Sequence, residues 1–394
     1  MRRRAMFWKL ACCVLALAGA SGCGGRLDSG DDSGSEDGPV DVDGDAPPDA
    51  QDVPDDAHHA DGADDEASDA TSEVDDDAAA LDDAVPDDDG GGGGVVVGLT
   101  DRSFTYDGVE TFVLAASYYG GCGAGEDVIR SDLGQLAGLG FNNVRVWTTW
   151  TAPTDAVAVL QADGSLDPVA LARLRFLLET ARGLGMSVDV TSGFGTAGVS
   201  DGGFDSYRDA LAALATELLP YRNAWFDLGN ERDVGDARFL SVEQVRDLAV
   251  AVRAVDAARL VTASGGGSDG AGAGASWTEL YAVADLDFAA PHFSRDADWA
   301  AQTESRVATM RDLLLAAGWV RPIYLQEEAR RGYSGAEWPK EMFLEAVAGA
   351  RRAGAAGWCF HTDAGFDLVA GSFFDQLDDV ERDLIDELAA AAAP

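Results

Sequence analysis

The sequence predicts an α/β protein, a (β/α)8 (TIM) barrel preceded by a disordered acidic linker. Residues 96–394 alternate short apolar runs with longer amphipathic stretches, the pattern of a parallel sheet covered by helices. This region is roughly 300 residues long, which is close to the usual length of such a barrel. No Gly-x-Gly-x-x-Gly turn follows the first apolar run, so a closed barrel is favoured over an open doubly wound sheet.

The charge of the chain excludes several classes of function. The 394 residues include 70 Asp and Glu against 28 Lys and Arg, which gives a formal net charge of −42. No segment has the basic stripe that phosphate contacts need, so nucleic-acid binding is excluded. Five cysteines in a chain of this length exclude a disulfide-dense small domain. No apolar run reaches the roughly 18 residues of a membrane-spanning helix.

The first residues have the layout of an export signal. Four basic residues within residues 1–9 precede a short apolar run. The run ends at Ala20-Ser21-Gly22-Cys23, which resembles a bacterial lipobox. The resemblance implies a lipoprotein signal peptide over residues 1–22, acylation of Cys23, and anchoring at an outer membrane or the cell surface. An ordinary secretory signal cleaved nearby is the alternative.

Residues 23–95 predict an acidic tether of low complexity. Residues 26–95 contain 26 acidic residues, one basic residue and no aromatic residue. Such a segment cannot bury enough apolar surface to offset its ordering entropy, so we expect it to be disordered. Repulsion between its like charges extends it.

The elements of the barrel domain, residues 96–394, follow in order. A hairpin over Ser103–Phe112, with its turn at Asp107-Gly108, is predicted to cap the lower end of the barrel. The crossover after the fifth strand is mostly Gly and Ser, which predicts a weak fifth helix. The predicted strands are Val113–Ser117, Asn143–Trp147, Ser187–Thr191, Ala224–Leu228, Arg259–Ala263, Asp287–Ala290, Ile323–Gln326 and Gly357–Phe360. The predicted helices are Val128–Leu139, Pro168–Leu184, Ser206–Leu219, Val242–Val255, Trp299–Ala317 and Lys340–Ala353.

Polar and aromatic side chains concentrate where the predicted strands end. The C-terminal ends of the strands carry the site in such barrels. The domain contains two histidines, and both fall at strand ends. The residues at these ends are Tyr118 after the first strand, Arg145 and Trp147 in the second, Asn230 and Glu231 after the fourth, His292 after the sixth, Glu327 after the seventh and His361 after the eighth.

These motifs carry a family resemblance over residues 100–370. Asn230-Glu231 after an apolar fourth strand, and the segment 322–327 ending in Glu327, resemble clan A of the glycoside hydrolases. The pattern is most similar to the cellulase and mannanase group, family five. Tyr106-Asp107-Gly108, the segment 140–145 and the segment around His292 agree with it.

The resemblance implies an enzyme that hydrolyses a β-linked polysaccharide or oligosaccharide with retention of configuration. Glu231 is implied as the general acid/base and Glu327 as the nucleophile of a double displacement. Retaining enzymes hold the two carboxyl groups about 5–5.5 Å apart. The acid must stay protonated, so burial and the second carboxylate are expected to raise the pKa of Glu231.

The remaining site residues are expected to bind substrate. Arg145 is implied to hold the nucleophile ionised, and Asn230 to bind the sugar 2-hydroxyl. His292, Tyr118, Trp147 and His361 are the other candidates, although either histidine could be a satisfied buried residue. Further tryptophans that could stack on sugars are Trp150, Trp277, Trp299 and Trp338. No cofactor and no metal are implied, and we expect a monomer.

Three departures from the family pattern leave an alternative open. Ser294 stands where the family usually has a tyrosine that contacts the nucleophile. Phe360 and His361 stand where a tryptophan floor is usual, and Glu328-Ala329 follows the nucleophile. The alternative is therefore a non-catalytic glycan-binding surface lipoprotein on the same fold. A structural surface protein, with the carboxylates in ion pairs only, is the second alternative.

Two cysteines in the barrel domain leave a further question. Cys122 follows the first strand and Cys359 lies in the eighth, and these strands are neighbours in a closed barrel. Outside the cytoplasm they could form a disulfide, which would stabilise the domain by about 4–5 kcal/mol in the chain-entropy model. Two separate buried thiols are the other alternative.

Overall fold

A computed structural model describes residues 94–150, 158–196, 202–234, 236–266 and 277–394. The predicted signal peptide, Cys23 and the acidic segment up to residue 93 lie outside these described residues. Among the described residues, no helix is long and apolar enough to cross a membrane.

The described strands form the predicted parallel barrel. They are β1 (Val97–Leu99), β2 (Phe104–Tyr106), β3 (Val109–Thr111), β4 (Val113–Ser117), β5 (Asn143–Trp147), β6 (Ser187–Thr191), β7 (Ala224–Asp227), β8 (Val261–Thr262), β9 (Ser264–Gly266), β10 (Ala290–His292), β11 (Tyr324–Leu325) and β12 (Gly357–Phe360). Seven of them form one sheet in the order β11-β12-β4-β5-β6-β7-β8. The chain continues from β8 into β9 after one residue, and β9 pairs in parallel with β10. A parallel bridge between Ala289 and Ile323 links the start of β10 to that of β11 and closes the ring.

The predicted strand bounds hold for half of the barrel strands. The first, second, third and eighth barrel strands have the predicted bounds. The fifth predicted strand contains β8, and β9 begins one residue after its predicted end. The sixth strand lies later than predicted. The prediction ends at Ala290, before Pro291, which has no N–H to donate. The ladder nevertheless continues through Pro291, which lies opposite Gly265.

Helices cover the outside of the barrel. They are α1 (Glu126–Gly138), α2 (Pro168–Gly183), α3 (Gly203–Glu217), α4 (Val242–Val255), α5 (Trp299–Ala316), α6 (Lys340–Arg352), α7 (Phe373–Gln376) and α8 (Asp379–Ala391). The start of α4 is fixed by a capping box between Ser241 and Gln244. The weak fifth crossover contains only a short π-helix, Glu279–Val283, among its described residues. The two C-terminal helices were not among the predicted ones.

Side chains alternate between an outer core and the barrel interior. In β5, Val144 and Val146 belong to the outer core under the helices. Arg145 lies between these two valines in the strand. Because successive side chains point to opposite faces, Arg145 faces the interior. Every residue of this strand is buried. The alternation delivers polar interior side chains to the C-terminal end of the barrel, while the sheet's outer face stays apolar.

A hairpin plugs the lower end of the barrel, as predicted. Asp107 and Gly108 have φ values of +52° and +80°, which suits the tight turn between β2 and β3. Phe104 is fully buried, and its ring stacks on Trp225 with centroids 4.8 Å apart. It also meets the edge of Phe288 at 5.0 Å. These aromatic rings fill the interior below the polar end.

The two cysteines of the domain are both free and buried. Cys359 packs in the interior cluster of the barrel. Cys122 belongs to the outer core. Because the sheet lies between the two clusters, the disulfide alternative is not formed in this structure, and the two thiols are separate.

Candidate active site

Two glutamates meet at the C-terminal end of the barrel. Glu231 follows β7, and Glu327 follows β11. One carboxylate oxygen of each and one ring nitrogen of His292 lie within 4.8 Å of one another. The two carboxylates that the sequence singles out are therefore neighbours, which contradicts a structure in which they serve unrelated ion pairs.

Glu327 is held by three donors. Arg145 Nη1 lies 2.6 Å from its Oε2, and the Tyr119 hydroxyl donates to the same oxygen at 2.8 Å. Arg295 Nη2 donates to Oε1 at 2.8 Å. The side chain of Glu327 is 9% exposed. A buried carboxylate with this many charge-assisted hydrogen bonds is fixed in orientation.

Positive charge keeps Glu327 ionised. Burial raises the pKa of Glu327, but the charges of His292, Arg295 and Arg145 around the carboxylate outweigh that effect and hold the pKa well below its usual range. His292 Nδ1 and His361 Nε2 each lie 3.9 Å from a carboxylate oxygen of Glu327. An ionised carboxylate at this position is a competent nucleophile.

Arg145 links the two halves of the site. Its Nη2 donates to Asn230 Oδ1 at 2.7 Å, so the amide of Asn230 is oriented by the same guanidinium that contacts Glu327. Asp227 and Asp189 lie 3.4 and 3.8 Å from Arg145 and supply its counter-charge. Arg145 therefore contacts Glu327, as expected from the sequence, and the same guanidinium fixes the amide of Asn230.

A chain of side chains runs from the barrel interior to Glu231. Gln326 Nε2 donates to Asp189 Oδ2 at 2.7 Å, so the Gln326 oxygen faces His292 Nε2 at 3.3 Å as an acceptor. His292 Nδ1 lies 3.3 Å from Glu231 Oε1. With a proton on Nε2, His292 turns Nδ1 toward Glu231, so that a proton carried by either group can bridge the two.

The backbone of Glu231 adopts the left-handed conformation, with φ of +46°. This region is unfavourable for a residue with a side chain and is often occupied at functional sites. The Glu231 N–H donates to Ser264 Oγ at 2.9 Å. Arg238 Nη1 donates to Glu231 Oε2 at 2.6 Å. These two contacts hold the strained residue at the end of its strand.

The pKa of Glu231 is lower than usual, which corrects the expectation of a raised pKa. Burial raises the pKa of Glu231, and so does the nearby charge of Glu327. The hydrogen bond and charge of His292, together with the charge of Arg295, outweigh both. The pKa of Glu231 is lowered less than the pKa of Glu327, which is held well below its usual range. Glu231 is thus the more basic of the two carboxylates.

An aromatic cluster lines one side of the site. Tyr119 stacks on Phe366, with centroids 4.9 Å apart and an interplanar angle of 13°. Trp147 and Trp150 pack against Tyr119 at 5.2 and 5.1 Å. Trp147 is buried, so it supports Tyr119 and does not offer an open platform. The other candidate platforms, Trp277, Trp299 and Trp338, pack with the outer core.

His361 has one nitrogen committed and one facing the site. Its Nδ1 lies 2.8 Å from the carbonyl oxygen of Glu328, so Nδ1 carries the proton. Burial lowers the pKa of His361 well below its usual range, which leaves the ring neutral. Nε2 has no hydrogen-bond partner among the described residues. It can accept a hydrogen bond from a hydroxyl group of a ligand.

Tyr118, predicted to bind substrate, does not reach the site. It is buried in the outer core, and its hydroxyl donates to Asp132 Oδ2 at 3.0 Å. After β4 the chain turns into a 3-10 helix, Tyr119–Gly123, which points the next tyrosine inward. Tyr119 therefore occupies the place expected for Tyr118.

The sequence analysis missed four residues of the site. Tyr119 and Phe366 form the aromatic cluster, and Arg238 and Arg295 contact the two carboxylates. Arg295 follows His292 by three residues, so its place just after a barrel strand was a usable signal. Arg238 lies in a loop after Glu231, where no periodic pattern marks it.

The residues at this end suit a metal ion poorly. Within the described ranges, Glu231, His292 and Glu327 are the one group close enough to share a cation. Guanidinium groups already contact both carboxylates at 2.6–2.8 Å. A divalent cation would have to displace them, against their charge.

A cavity of about 480 Å³ opens beside Glu231 at the C-terminal end of the barrel. Its lining includes Glu231, Arg238, His292, Arg295 and Tyr333. The volume falls within the range of sites for small molecules. The arrangement is a concave site with an ionised carboxylate, a second carboxylate that shares a proton, and several hydrogen-bonding groups.

Comparison with known proteins finds the fold among solved structures. No protein-family model and no curated protein matches the sequence. A glycoside hydrolase of family 5 from Bacteroides vulgatus ATCC 8482 is 16% identical with a TM-score of 0.52, and the likeness covers 71% of this chain and 63% of that one. The endo-1,4-beta-mannanase of Rhizomucor miehei is 15% identical with a TM-score of 0.56, covering 75% and 99%. The beta-mannanase of the blue mussel Mytilus edulis is 16% identical with a TM-score of 0.51, covering 75% and 97%.

At these identities the likeness shows the fold alone. It agrees with the parallel barrel described above, and the predicted fold class is confirmed.

Proposed function

We propose that this protein is a retaining glycoside hydrolase that acts on a β-linked polysaccharide or oligosaccharide. One observation carries the proposal: carboxylate oxygens of Glu231 and Glu327 lie within 4.8 Å of each other at the C-terminal end of the barrel. This approach suits the separation of about 5–5.5 Å that retaining enzymes use between their carboxyl groups. The unequal surroundings of the two carboxylates support different roles for them.

In the first step, Glu327 attacks the anomeric carbon of the bound sugar. A carboxylate oxygen of Glu327 forms an ester bond to that carbon as the bond to the leaving sugar breaks. The leaving oxygen takes the proton that Glu231 shares with His292. Arg145 and Tyr119 keep the attacking carboxylate in place.

In the second step, water replaces the leaving sugar. Glu231, now ionised, removes a proton from the water, and the water oxygen attacks the anomeric carbon. The ester bond to Glu327 breaks, which restores its carboxylate and releases a sugar of the original configuration. Asn230, oriented by Arg145, is placed to bind a hydroxyl group of the reacting sugar.

The solved structures that share the fold guide the choice of substrate. Two of those named above are β-mannanases by title. We therefore place β-mannans and β-glucans first among the substrates to test. At the present level of identity this is a starting point for the assay and not an assignment.

A non-catalytic glycan-binding protein is the second candidate, because one contact favours it. Arg238 lies 2.6 Å from Glu231, and the pKa of Glu231 is lower than usual. Both features favour an ionised Glu231, and an ionised carboxylate cannot donate a proton to a leaving group.

The experiment measures reducing-sugar release by the mature protein on mannan, β-glucan, xylan and galactan. Glu231→Gln and Glu327→Gln should each reduce the rate by about 10²–10⁴-fold. Glu381→Gln is the matched control. Glu381 is 6% exposed, against 7% for Glu327, and its carboxylate accepts a hydrogen bond from Thr362 and does not contact the site. NMR of the first product anomer then tests retention. Binding without release would select the glycan-binding protein, and an inverted product would exclude double displacement.

We also propose that the protein is exported, anchored through a lipid on Cys23, and monomeric. The basic and apolar layout of residues 1–22 and the lipobox-like sequence before Cys23 support the anchor. Metabolic labelling with an alkyne fatty acid should label the protein, and Cys23→Ser should abolish the label and release the protein from membranes. An unchanged membrane fraction in Cys23→Ser would contradict the anchor.

A further inference from the structure

Arg295 differs from the other arginines of the site in how it is satisfied. Its Nη2 donates to Oε1 and to the backbone carbonyl of Glu327, at 2.8 and 3.3 Å. Its Nε is buried and has no hydrogen-bond partner among the described residues. The guanidinium carbon lies 5.2 Å from the centre of the Tyr333 ring, and both residues line the cavity beside Glu231. A buried unpaired donor beside a cavity calls for a ligand acceptor.

The other two arginines have counter-ions of their own. Arg145 has Asp227 and Asp189 in addition to Glu327. Arg238 has Asp236, whose carboxylate it contacts at 2.8 Å. In the described part of the chain, Glu327 is the one carboxylate that Arg295 contacts. Glu327 is therefore the carboxylate in direct contact with Arg295, while the charge of Glu231 acts on Arg295 without a direct contact.

The proposed reaction removes the charge of Glu327. When Glu327 becomes an ester, it is neutral, and the negative charge resides on Glu231. Both oxygens of Glu231 already have partners, Arg238 on Oε2 and His292 on Oε1. Arg295 is then left with a backbone carbonyl, although its side chain is only 14% exposed. A largely buried cation without a counter-ion is costly.

We propose that the substrate itself supplies the missing anion: the site takes a sugar that carries an oxyanion group, held by Arg295 in the cavity beside Tyr333. A uronic acid carboxylate fits best, because its two oxygens lie in a plane that matches the guanidinium fork. A sulfate ester offers the same charge through a different geometry. This inference rests on the proposed glycosidase function and specifies its substrate class.

The acidity of the domain opposes this binding at long range. Residues 96–394 contain 44 acidic and 23 basic residues, so a polyanion is repelled as it approaches. At physiological ionic strength that repulsion is screened beyond roughly 8 Å, whereas direct contact with a largely buried guanidinium is screened much less. Tighter binding of acidic than of neutral sugars should therefore appear between matched ligands that differ only in the carboxylate. This difference in binding should depend on Arg295.

The test measures binding by calorimetry to the protein carrying Glu327→Gln, which removes the nucleophile and leaves Arg295 without its carboxylate partner, as the ester does. The probes are β-1,4-linked oligomers of glucuronic acid and mannuronic acid, the glucose and mannose oligomers of the same length, and a sulfated glucose oligomer. We expect an acidic oligomer to bind at least about 10-fold more tightly than its neutral counterpart. Arg295→Gln should remove this preference, and Arg295→Lys should retain part of it.

Arg253→Gln is the matched control. Arg253 is 24% exposed, against 14% for Arg295, and it pairs with Asp285 and Asp287 before β10, at the lower end of the barrel. This variant should keep the preference. Stronger binding of the sulfated oligomer than of the uronates would assign the anion to a sulfate ester. Equal or tighter binding of neutral oligomers, no binding of any acidic oligomer, or a preference that survives Arg295→Gln would each overturn the inference.

Turnover by the unmodified protein separates this inference from the proposed function. Hydrolysis of neutral glycans with no acidic preference would overturn the inference and leave the glycosidase intact. An acidic preference in binding with no hydrolysis of any probe would keep the anion site and count against the glycosidase.

Discussion

The hydroxyl of Tyr119 donates a 2.8 Å hydrogen bond to Oε2 of Glu327, a residue 208 positions away in the sequence. Arg145 Nη1 lies 2.7 Å from the same hydroxyl and 2.6 Å from the same carboxylate oxygen. In the family that the sequence resembles, a tyrosine near the sixth strand usually contacts the nucleophile, and here Ser294 stands in its place. A tyrosine after the first barrel strand makes the contact instead.

Replacing Tyr119 with phenylalanine should reduce catalysis. The change removes a hydrogen bond to an ionised carboxylate, which contributes about 1.5–3 kcal/mol, so kcat should fall by roughly 10–100-fold. The measurement is the pH profile of kcat alongside KM. Since the Tyr119 hydroxyl stabilises ionised Glu327, its loss should also move the acidic limb of the profile to higher pH.

Tyr118→Phe is the control for this prediction. The Tyr118 hydroxyl contacts Asp132 on the outer side of the sheet. Its loss should lower the free energy of unfolding by about 1 kcal/mol and leave kcat and the pH profile unchanged. A larger loss of kcat in Tyr118→Phe than in Tyr119→Phe would show that the two roles are assigned the wrong way round.

Arg238→Gln should change the pH dependence of hydrolysis. Arg238 lies 2.6 Å from Glu231, and its positive charge favours ionised Glu231. Removing the cation raises the pKa of Glu231, so the acid stays protonated to higher pH. The alkaline limb of the kcat/KM profile should move upward. An unmoved limb in Arg238→Gln, or the same movement in Arg253→Gln, would count against Arg238 as the group that sets it.

Asp189 should make stability depend on pH. Burial raises the pKa of Asp189 to about 6, against the opposing charge of Arg145. A carboxyl group whose folded-state pKa is raised stabilises the protein below its unfolded pKa of roughly 4 and loses that contribution as the pH rises through its folded pKa. Relative to Asp189→Asn, the native protein should lose roughly 2–3 kcal/mol of unfolding free energy from pH 4 to pH 7. Urea unfolding across this range is the measurement, and a constant difference between the two proteins would contradict the prediction.

Cys122 and Cys359 should both be thiols that react only after unfolding. Burial raises the pKa of Cys122 to about 12 and raises that of Cys359 as well, so neither is a thiolate at neutral pH. Alkylation of the mature protein in denaturant without reductant should modify both residues, and alkylation of the folded protein should modify neither. A mass consistent with a disulfide would contradict the separation of the two residues by the sheet.

The strands were the most predictable part of the molecule. Buried parallel strands are continuous apolar runs, and Val113–Ser117 and Asn143–Trp147 have their predicted bounds. Glu231 and Glu327 were predictable because they directly follow such runs. Pro291 shows the limit of this reasoning, since the strand passes through a residue that sequence rules treat as its end.

The contacts that tune the site were less predictable. Whether Tyr118 or Tyr119 faces inward depends on the turn after β4, where strand alternation no longer applies. Arg238 and Arg295 lie in loops, which carry no periodic signal. The lowered pKa of Glu231 follows from His292 and Arg295, whose positions relative to Glu231 only the folded chain defines.

The hairpin that plugs the barrel also sets the order of events in the proposed reaction. Phe104, Trp225 and Phe288 pack together in the interior beneath the carboxylates, and the cavity beside Glu231 lies at the opposite, C-terminal end. The leaving sugar and the hydrolytic water must then use the same opening. The departing sugar has to vacate it before water can enter, so a slowly dissociating leaving group delays the second step and favours transfer of the glycosyl group back to that sugar.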